Sequence, residues 1–296
     1  MPVTVAERVV LATATVGIEH DVDLPLMVDA LRARGVDAAA VPWDAEGYDW
    51  SACDSVIIRS TWDYGDRLGE YLAWVDEVGA ATRLHNPADV VRWNSDKRYL
   101  RDLAEQGIPV VPTTFIAPGE EIVLPGSGQF VVKPTVSAGA RDTARYVESQ
   151  LASAERHVRS LHSAGATAMV QPYLSRIAEG ERALVFLGGA FSHAMRKGPV
   201  LTDVGVIDNA RVAHPGLTEH QPSAAELEVA ARALAAIPGR GPVLIGRVDL
   251  ALSDDGSPVV MELELIEPNL FVTHSAPGLQ RFADVVRAHC ASPKRT

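Results

Sequence analysis

Two apolar runs, 243–252 and 258–267, flank Ser253-Asp254-Asp255-Gly256-Ser257, whose small polar residues and glycine predict a turn between strands. Alternation puts Val248, Leu250 and Leu252 on one face of the first strand, with Arg247 and Asp249 on the other. In the second strand Met261, Leu263 and Leu265 share a face, and Glu262 and Glu264 share the opposite one. Matching the apolar faces fixes the register, because a one-residue slip turns every side chain to the wrong side. Asp249 is then expected opposite Glu262, and Arg247 opposite Glu264.

The N-terminal pattern is different. Residues 8–15 predict a buried strand, followed by a loop through Gly17, a helix over 23–34 closed by Gly35, and a strand over 36–41. The Val-Ile-Ile run in 55–58 predicts a strand buried on both faces, and a helix over 68–78 ends at Gly79. Strand and helix alternating in this way predict a parallel sheet with covering helices. Ligands of such sheets gather beyond the carboxyl ends of the strands. His20-Asp21 and Arg59-Ser60-Thr61-Trp62-Asp63-Tyr64 fall there; the second segment reads equally as a ligand loop or as a loop whose aromatic rings pack.

The character changes near 90–93. A helix over 96–106, capped by Asn94 or Ser95, would bury Tyr99, Leu100 and Leu103. Lys97 in its first turn opposes the helix dipole unless an anion binds there. Residues 108–116 are extended. The strand Phe130-Val131-Val132-Lys133-Pro134 carries one lysine into a run of small residues, 135–140, able to bring backbone N–H groups to phosphate. A helix over 149–163, a strand over 168–174, and a hairpin of 183–187 and 190–196 joined at Gly188-Gly189 follow. The return strand delivers His193, which by itself reads as a structural histidine, and then Arg196 and Lys197. Ser223 and Glu226 form a capping box for a helix reaching Ala236, and a last helix reaches His289.

At 296 residues the chain exceeds one core, and the breaks divide it into 1–92, 93–174 and 175–296. A net charge of −11 without a Lys/Arg-rich run argues against a nucleic-acid partner. No apolar run reaches the ~20 residues of a membrane span. The N-terminus lacks a basic start, and Glu7-Arg8 interrupt any apolar core, so a cytoplasmic location is expected. The two cysteines, Cys53 and Cys290, fit free thiols there.

That charge makes the carboxylate hairpin a problem to be solved. Opposed carboxylates at ~5 Å and an effective dielectric of ~20 repel by roughly 3 kcal/mol per pair. One arginine cannot offset three of them. Either the face is solvated or it holds a divalent cation, and four charges against an unbroken apolar face favour the cation. Oxygen ligands alone suit Mg²⁺ or Mn²⁺, usually accompanied by nucleotide phosphates.

In this order, the strand lysine, small-residue loop and carboxylate hairpin resemble the ATP-grasp superfamily over nearly the whole chain. The resemblance implies an α/β and α+β architecture: an ATP-grasp fold behind an N-terminal Rossmann-like (pre-ATP-grasp) domain. It implies that Lys97 and Lys133 meet the phosphates of ATP and that the Ser137-Ala138-Gly139 loop closes over them. Gln171, Tyr173 and Leu174 would form the adenine hinge, and Glu179 or Glu181 would take the ribose hydroxyls. Asp249, Glu262 and Glu264 would hold Mg²⁺ or Mn²⁺, although the superfamily usually has Asn at the position of Glu264. Arg247 and Lys197 would act at the reacting centre. The segments 58–64, 130–139 and 261–268 are similar to the D-cycloserine synthetase group, which closes O-ureido-D-serine into a ring. That similarity implies an ATP-dependent ligase that activates a carboxylate as an acyl phosphate for attack by a nitrogen, in antibiotic biosynthesis. A small amino-acid-like substrate is expected, touched by Arg59, Ser60, Thr61, Tyr64, His193, His274 and Ser275. An intermolecular carboxylate–amine ligase and a nucleotide-binding regulator without turnover are the alternatives.

Overall fold

The computed structural model describes residues 7–210, 214–239 and 243–290; residues 1–6, part of the stretch read for a leader, lie outside it. Strands β1 (Arg8–Thr13), β2 (Asp37–Pro42), β3 (Ser55–Ile58) and β4 (Arg83–His85) form a parallel sheet in the order β2-β1-β3-β4. Alternate residues leave it in opposite directions. Val9, Leu11 and Ile57 pack with Leu24, Met27 and Leu31 of α2 (Leu24–Arg32). Val10, Val56 and Ile58 meet Tyr71, Trp74 and Val78 of α3 (Leu68–Ala81). A continuous apolar strand is what burial on both faces requires.

The expected loop through Gly17 is a short helix, α1 (Thr15–His20). It fits because residue 17 lacks a side chain: a Cβ there would lie 2.3 Å from Thr13 Oγ1 and 2.5 Å from the Ser60 carbonyl. Gly79 does not stop α3, which runs on to Ala81. The expected helix over 96–106 is shorter, and its predicted caps do other work. The chain forms α4 (Ala88–Asn94), then α5 (Tyr99–Glu105), with Lys97 in the link between them. The Asn94 amide donates to the Leu263 carbonyl at 2.7 Å and accepts from Leu265 N–H at 2.8 Å. These bonds satisfy a strand edge, which outweighs a cap on a seven-residue helix.

A second, antiparallel sheet contains β5 (Thr114–Ile116), β6 (Gln129–Pro134), β7 (Ala144–Val147) and β8 (Ala168–Pro172), ordered β5-β8-β6-β7 and backed by α6 (Leu151–Ser163). Strand β7 was not expected. Only Ala144 and Tyr146 of its four residues point into the core, too short an alternation to read. The third sheet contains β9 (Glu181–Leu187), β10 (Ala190–Lys197), β11 (Thr218–Glu219), β12 (Ile245–Leu252) and β13 (Pro258–Glu264), ordered β11-β10-β9-β12-β13. Helix α7 (Ala224–Ala235) covers it and begins at the expected box: Ser223 Oγ accepts from Glu226 N–H at 3.3 Å, and Glu226 accepts from Ser223 N–H at 2.7 Å. Helix α8 (Ala276–Cys290) returns to pack against α2 under the first sheet. Both cysteines are free and buried, and no helix among the described residues is long and apolar enough to cross a membrane.

The register expected for the carboxylate hairpin is present: Arg247 pairs with Glu264, and Asp249 with Glu262. A bulge follows, so that Leu250 pairs with Val260 and Met261 is the extra residue. Met261 therefore leaves the face of Leu263 and Leu265 and packs with Val111, Leu174 and Ile177.

Where β4 meets α8, His85 lies near His289, with ring centroids 6.2 Å apart. Burial, then the charges of His289 and Arg83, lower its pKa to about 4. The depressed value means that the unfolded chain takes up the proton first. His85 therefore contributes stability that is complete above pH 6.5 and is lost as pH falls towards 4, on the order of 3 kcal/mol. In thermal melts from pH 7 to 4, His85→Phe should lose less stability than the parent chain; equal losses would remove His85 as the cause.

Candidate active site

A cavity of about 580 Å³ opens where the three sheets meet, a size suited to a nucleotide-scale ligand. Its floor is the polar face of β12 and β13. Arg247 is 2% exposed and forks onto Asp249, with Nε to Oδ1 at 2.8 Å and Nη2 to Oδ2 at 2.9 Å. The same guanidinium reaches Glu264 and donates to the Asn269 carbonyl at 3.0 Å. Lys197, at the end of β10, closes the cluster with Nζ 2.5 Å from Asp249 and 3.0 Å from Glu181. Burial alone would raise the Asp249 pKa, but Arg247 and Lys197 outweigh it and hold the carboxyl well below the usual range.

Glu262 sits across from Asp249, with Oε1 3.1 Å from Lys97 Nζ. Burial works against its charge, yet Lys97 and Lys133 keep its pKa lowered. Burial, then the like charges of Asp249 and Glu262, raise Glu264 to about 7 against the pull of Arg247. On the strip itself three carboxylates stand beside one arginine, with Lys97 and Lys197 reaching in from neighbouring elements. Among the described residues, no three His, Cys, Asp or Glu side chains converge closely enough to hold a metal ion. Glu262 and Glu264 line the cavity, whereas both Asp249 oxygens are taken by Arg247 and Lys197. Two hard carboxylates fit Mg²⁺ or Mn²⁺, which keep water ligands and share phosphate oxygens. Asp249, the expected third ligand, is held by Arg247 and Lys197 beneath the cavity and does not line it.

The opposite wall belongs to the second sheet. Lys133 on β6 lines the cavity and makes no ion pair among the described residues; burial lowers its pKa, with Glu262 pulling the other way. Lys97 Nζ also donates to the Ser137 carbonyl at 2.5 Å, tying the start of α5 to the loop Ser137-Ala138-Gly139, which lines the cavity too. Gly139 has φ +62°, a conformation glycine adopts without strain. Gln171, Tyr173 and Leu174 line the far end. Tyr173 N–H donates to the Gln129 carbonyl at 2.8 Å, so this donor of the hinge is already used within the sheet. Glu181 is on the wall; Glu179 is not, and pairs with Arg176 at 2.6 Å.

The expected substrate contacts divide. Tyr64 lines the cavity, but Arg59, Ser60 and Thr61 are turned inward. Arg59 pairs with Asp21 at 3.0 Å and Asp23 at 3.4 Å and donates to the Pro268 carbonyl. Ser60 Oγ lies 2.7 Å from Thr13 Oγ1, and Thr61 Oγ1 donates to the Tyr71 hydroxyl at 3.3 Å. Burial at the end of β3 forces each polar group to find a protein partner. His193 contacts the Leu270 carbonyl through Nε2 at 2.7 Å and Ser192 through Nδ1 at 2.9 Å, and burial lowers its pKa. Ser275 Oγ accepts from Gly278 N–H at 3.1 Å, and His274 is exposed. Neither of these, nor His193, lines the cavity.

Sequence reasoning passed over Glu267 and Asn269 on the cavity wall. Alternation over the expected strand put Glu267 on the apolar face, but β13 ends at Glu264, and Asn269 lay beyond the expected strand. It also passed over three side chains that brace the hairpin. Asn86 donates to the Ile245 and Leu265 carbonyls, both at 2.7 Å; Asn94 bonds as described; and the Tyr99 hydroxyl accepts from Leu263 N–H at 2.9 Å.

Comparisons with known proteins place the chain in a family. Residues 9–86 match the family model of the N-terminal domain of the D-cycloserine synthetase DcsG. The cycloserine biosynthesis protein DcsG of Streptomyces lavendulae is 39% identical over 293 residues, covering 93% of this chain and 96% of that protein. The crystal structure of D-cycloserine synthetase DcsG superposes with a TM-score of 0.85 at 35% identity, over 95% of this chain and 99% of that one. An ATP-grasp RimK domain protein of Sphaerobacter thermophilus superposes with a TM-score of 0.63 at 21% identity, over 94% and 98% of the two chains.

Proposed function

Since the chain belongs to the D-cycloserine synthetase family of ATP-grasp ligases, we propose that it uses ATP to close O-ureido-D-serine into D-cycloserine. The observation that carries this reading is the cavity itself, of nucleotide size and lined by Glu262, Glu264 and Lys133, which makes no ion pair among the described residues. In this reading residues 1–92 supply the substrate side, and residues 93–174 and 175–296 enclose ATP between them. Lys133 and Lys97 hold phosphate oxygens, under the Ser137-Ala138-Gly139 loop. Residues 171–174 border the base, and Glu181 is placed for the ribose. Magnesium or manganese, held by Glu262 and Glu264, would neutralise phosphate charge, while Asp249 keeps Arg247 and Lys197 oriented.

The substrate carboxylate attacks the γ-phosphorus, the bond to ADP breaks, and an acyl phosphate forms. Such transfer depends on positioning and charge neutralisation, which the cluster of Lys97, Lys133 and Lys197 provides. The oxygen-linked nitrogen of the same molecule then attacks the acyl carbon, and Arg247 stabilises the oxyanion before phosphate leaves. Prefolding the substrate supplies much of the rate, as in any well-oriented intramolecular step. The ring nitrogen still carries a carbamoyl group, which water removes as carbon dioxide and ammonia.

With ATP, Mg²⁺ and O-ureido-D-serine alone, ADP, phosphate and D-cycloserine should appear in equal amounts by mass spectrometry and phosphate assay. An intermolecular ligase requires a second amine. ADP release that depends on an added amine, with no D-cycloserine, would replace this reading.

A further inference from the structure

Glu267 is a carboxylate on the cavity wall that the steps above leave unused. It lies three residues beyond Glu264, on a segment held from two sides. Arg59 donates to the carbonyl of Pro268, and Arg247 donates to that of Asn269 at 3.0 Å. The Asn269 side chain in turn accepts from Phe271 N–H at 2.9 Å, and Phe271 sits at φ +54° with its ring 5.3 Å from the Arg247 guanidinium. A bulky residue in the left-handed region is uncommon, and here it belongs to the clamp that fixes Glu267.

The carboxylate itself has no partner among the described residues, neither a hydrogen bond nor an ion pair. The cations close enough to influence it are Arg247, Arg59 and Lys97, and each is committed elsewhere. Arg247 serves Asp249 and Glu264, Arg59 serves Asp21 and Asp23, and Lys97 serves Glu262. Burial, reinforced by Glu264, accordingly pushes the Glu267 carboxyl well above the usual range. A partly buried carboxylate without a counter-charge is costly unless a ligand brings one.

The geometry points to Glu267 as the anchor for the α-ammonium group of an amino-acid substrate whose carboxylate is activated beside Arg247. The inference rests on the ligase reading above and deepens it. Arg247 reaches the Asn269 carbonyl, two residues from Glu267, and an α-ammonium lies one carbon from the carboxylate it accompanies. A substrate whose carboxylate is activated beside Arg247 thus presents its cation towards the one cavity carboxylate that lacks a cation among the described residues. Glu267 then selects α-amino acids over acids without the amine and sets which end of the zwitterion enters first. It is a positioning residue and takes no proton in the reaction.

Glu267→Gln keeps the shape and removes the charge. The KM for O-ureido-D-serine should rise about 10- to 100-fold, the scale of a lost charge-assisted contact, with kcat and the KM for ATP within a few-fold of the parent. The analogue lacking the α-amine should inhibit parent and variant with equal, weak affinity. That analogue binding the parent as tightly as the amino acid would overturn the inference without relying on any variant. An unchanged KM, or a fall in kcat alone, would overturn it as well. If the parent makes no D-cycloserine, the cyclisation reading fails by itself. The same comparison then passes to whichever amino acid supports ADP release, where the Glu267→Gln loss in KM is still required.

Discussion

Glu262→Gln should reduce ADP formation about 10³-fold, the scale of removing one preorganised electrostatic group from a transition state. The side chain lines the cavity, pairs with Lys97 at 3.1 Å and holds its charge because Lys97 and Lys133 oppose the cost of burial. Glutamine retains the volume but offers a weaker ligand to a hard cation. It also leaves Lys97 without its carboxylate partner, so the variant should melt slightly lower while keeping its fold. Nucleotide without metal should bind the variant at least as well as the parent, because Lys97 and Lys133 still meet phosphate. Circular dichroism, calorimetry with a non-hydrolysable nucleotide, and a coupled ADP assay separate these effects. Parent-like turnover at saturating Mg²⁺ would remove Glu262 from the metal site.

Arg59→Met should produce the largest loss of stability, roughly 3–5 kcal/mol, because it strands buried carboxylates rather than dissolving a surface pair. Arg59, Asp21 and Asp23 have side chains no more than 2% exposed. Asp23 also accepts the N–H groups of Val272 and Thr273 at 3.1 and 3.0 Å, so the cluster joins the first sheet to the segment leading into α8. The melting temperature should fall by about 10 °C. Combining Arg59→Met with Asp21→Asn should recover part of the loss, since one orphaned charge disappears. A large rise in substrate KM with no change in melting would instead return Arg59 to the substrate contacts expected from sequence.

The difference between Glu262 and Arg59 marks how far pattern carries. On a strand with one apolar face, alternation is a geometric constraint, so Asp249 opposite Glu262 and Arg247 opposite Glu264 could be read directly. Met261 escaped because a bulge adds a residue without any one-dimensional sign. Arg59, Ser60 and Thr61 follow a buried strand, where pattern places the residues but not their partners. The C-terminal segment 268–273 folds over that end and takes Arg59 into the interior.

By itself, the sequence determined the alternating and antiparallel strand sets, the capping box at Ser223, the register of the carboxylate hairpin, and the lysine and carboxylate types that the cavity collects. Each follows from local periodicity or from the chemistry of one side chain. Only the tertiary structure decided that Asp249 is bound by Arg247 and Lys197, that Glu181 rather than Glu179 reaches the cavity, and that Asn86, Asn94 and Tyr99 brace the hairpin. It also decided that Glu267 lacks a counter-ion among the described residues. Pairing among buried charges depends on which of several candidates lies within a few ångströms. That distance is set by segments far apart in the chain, through packing that no local pattern encodes.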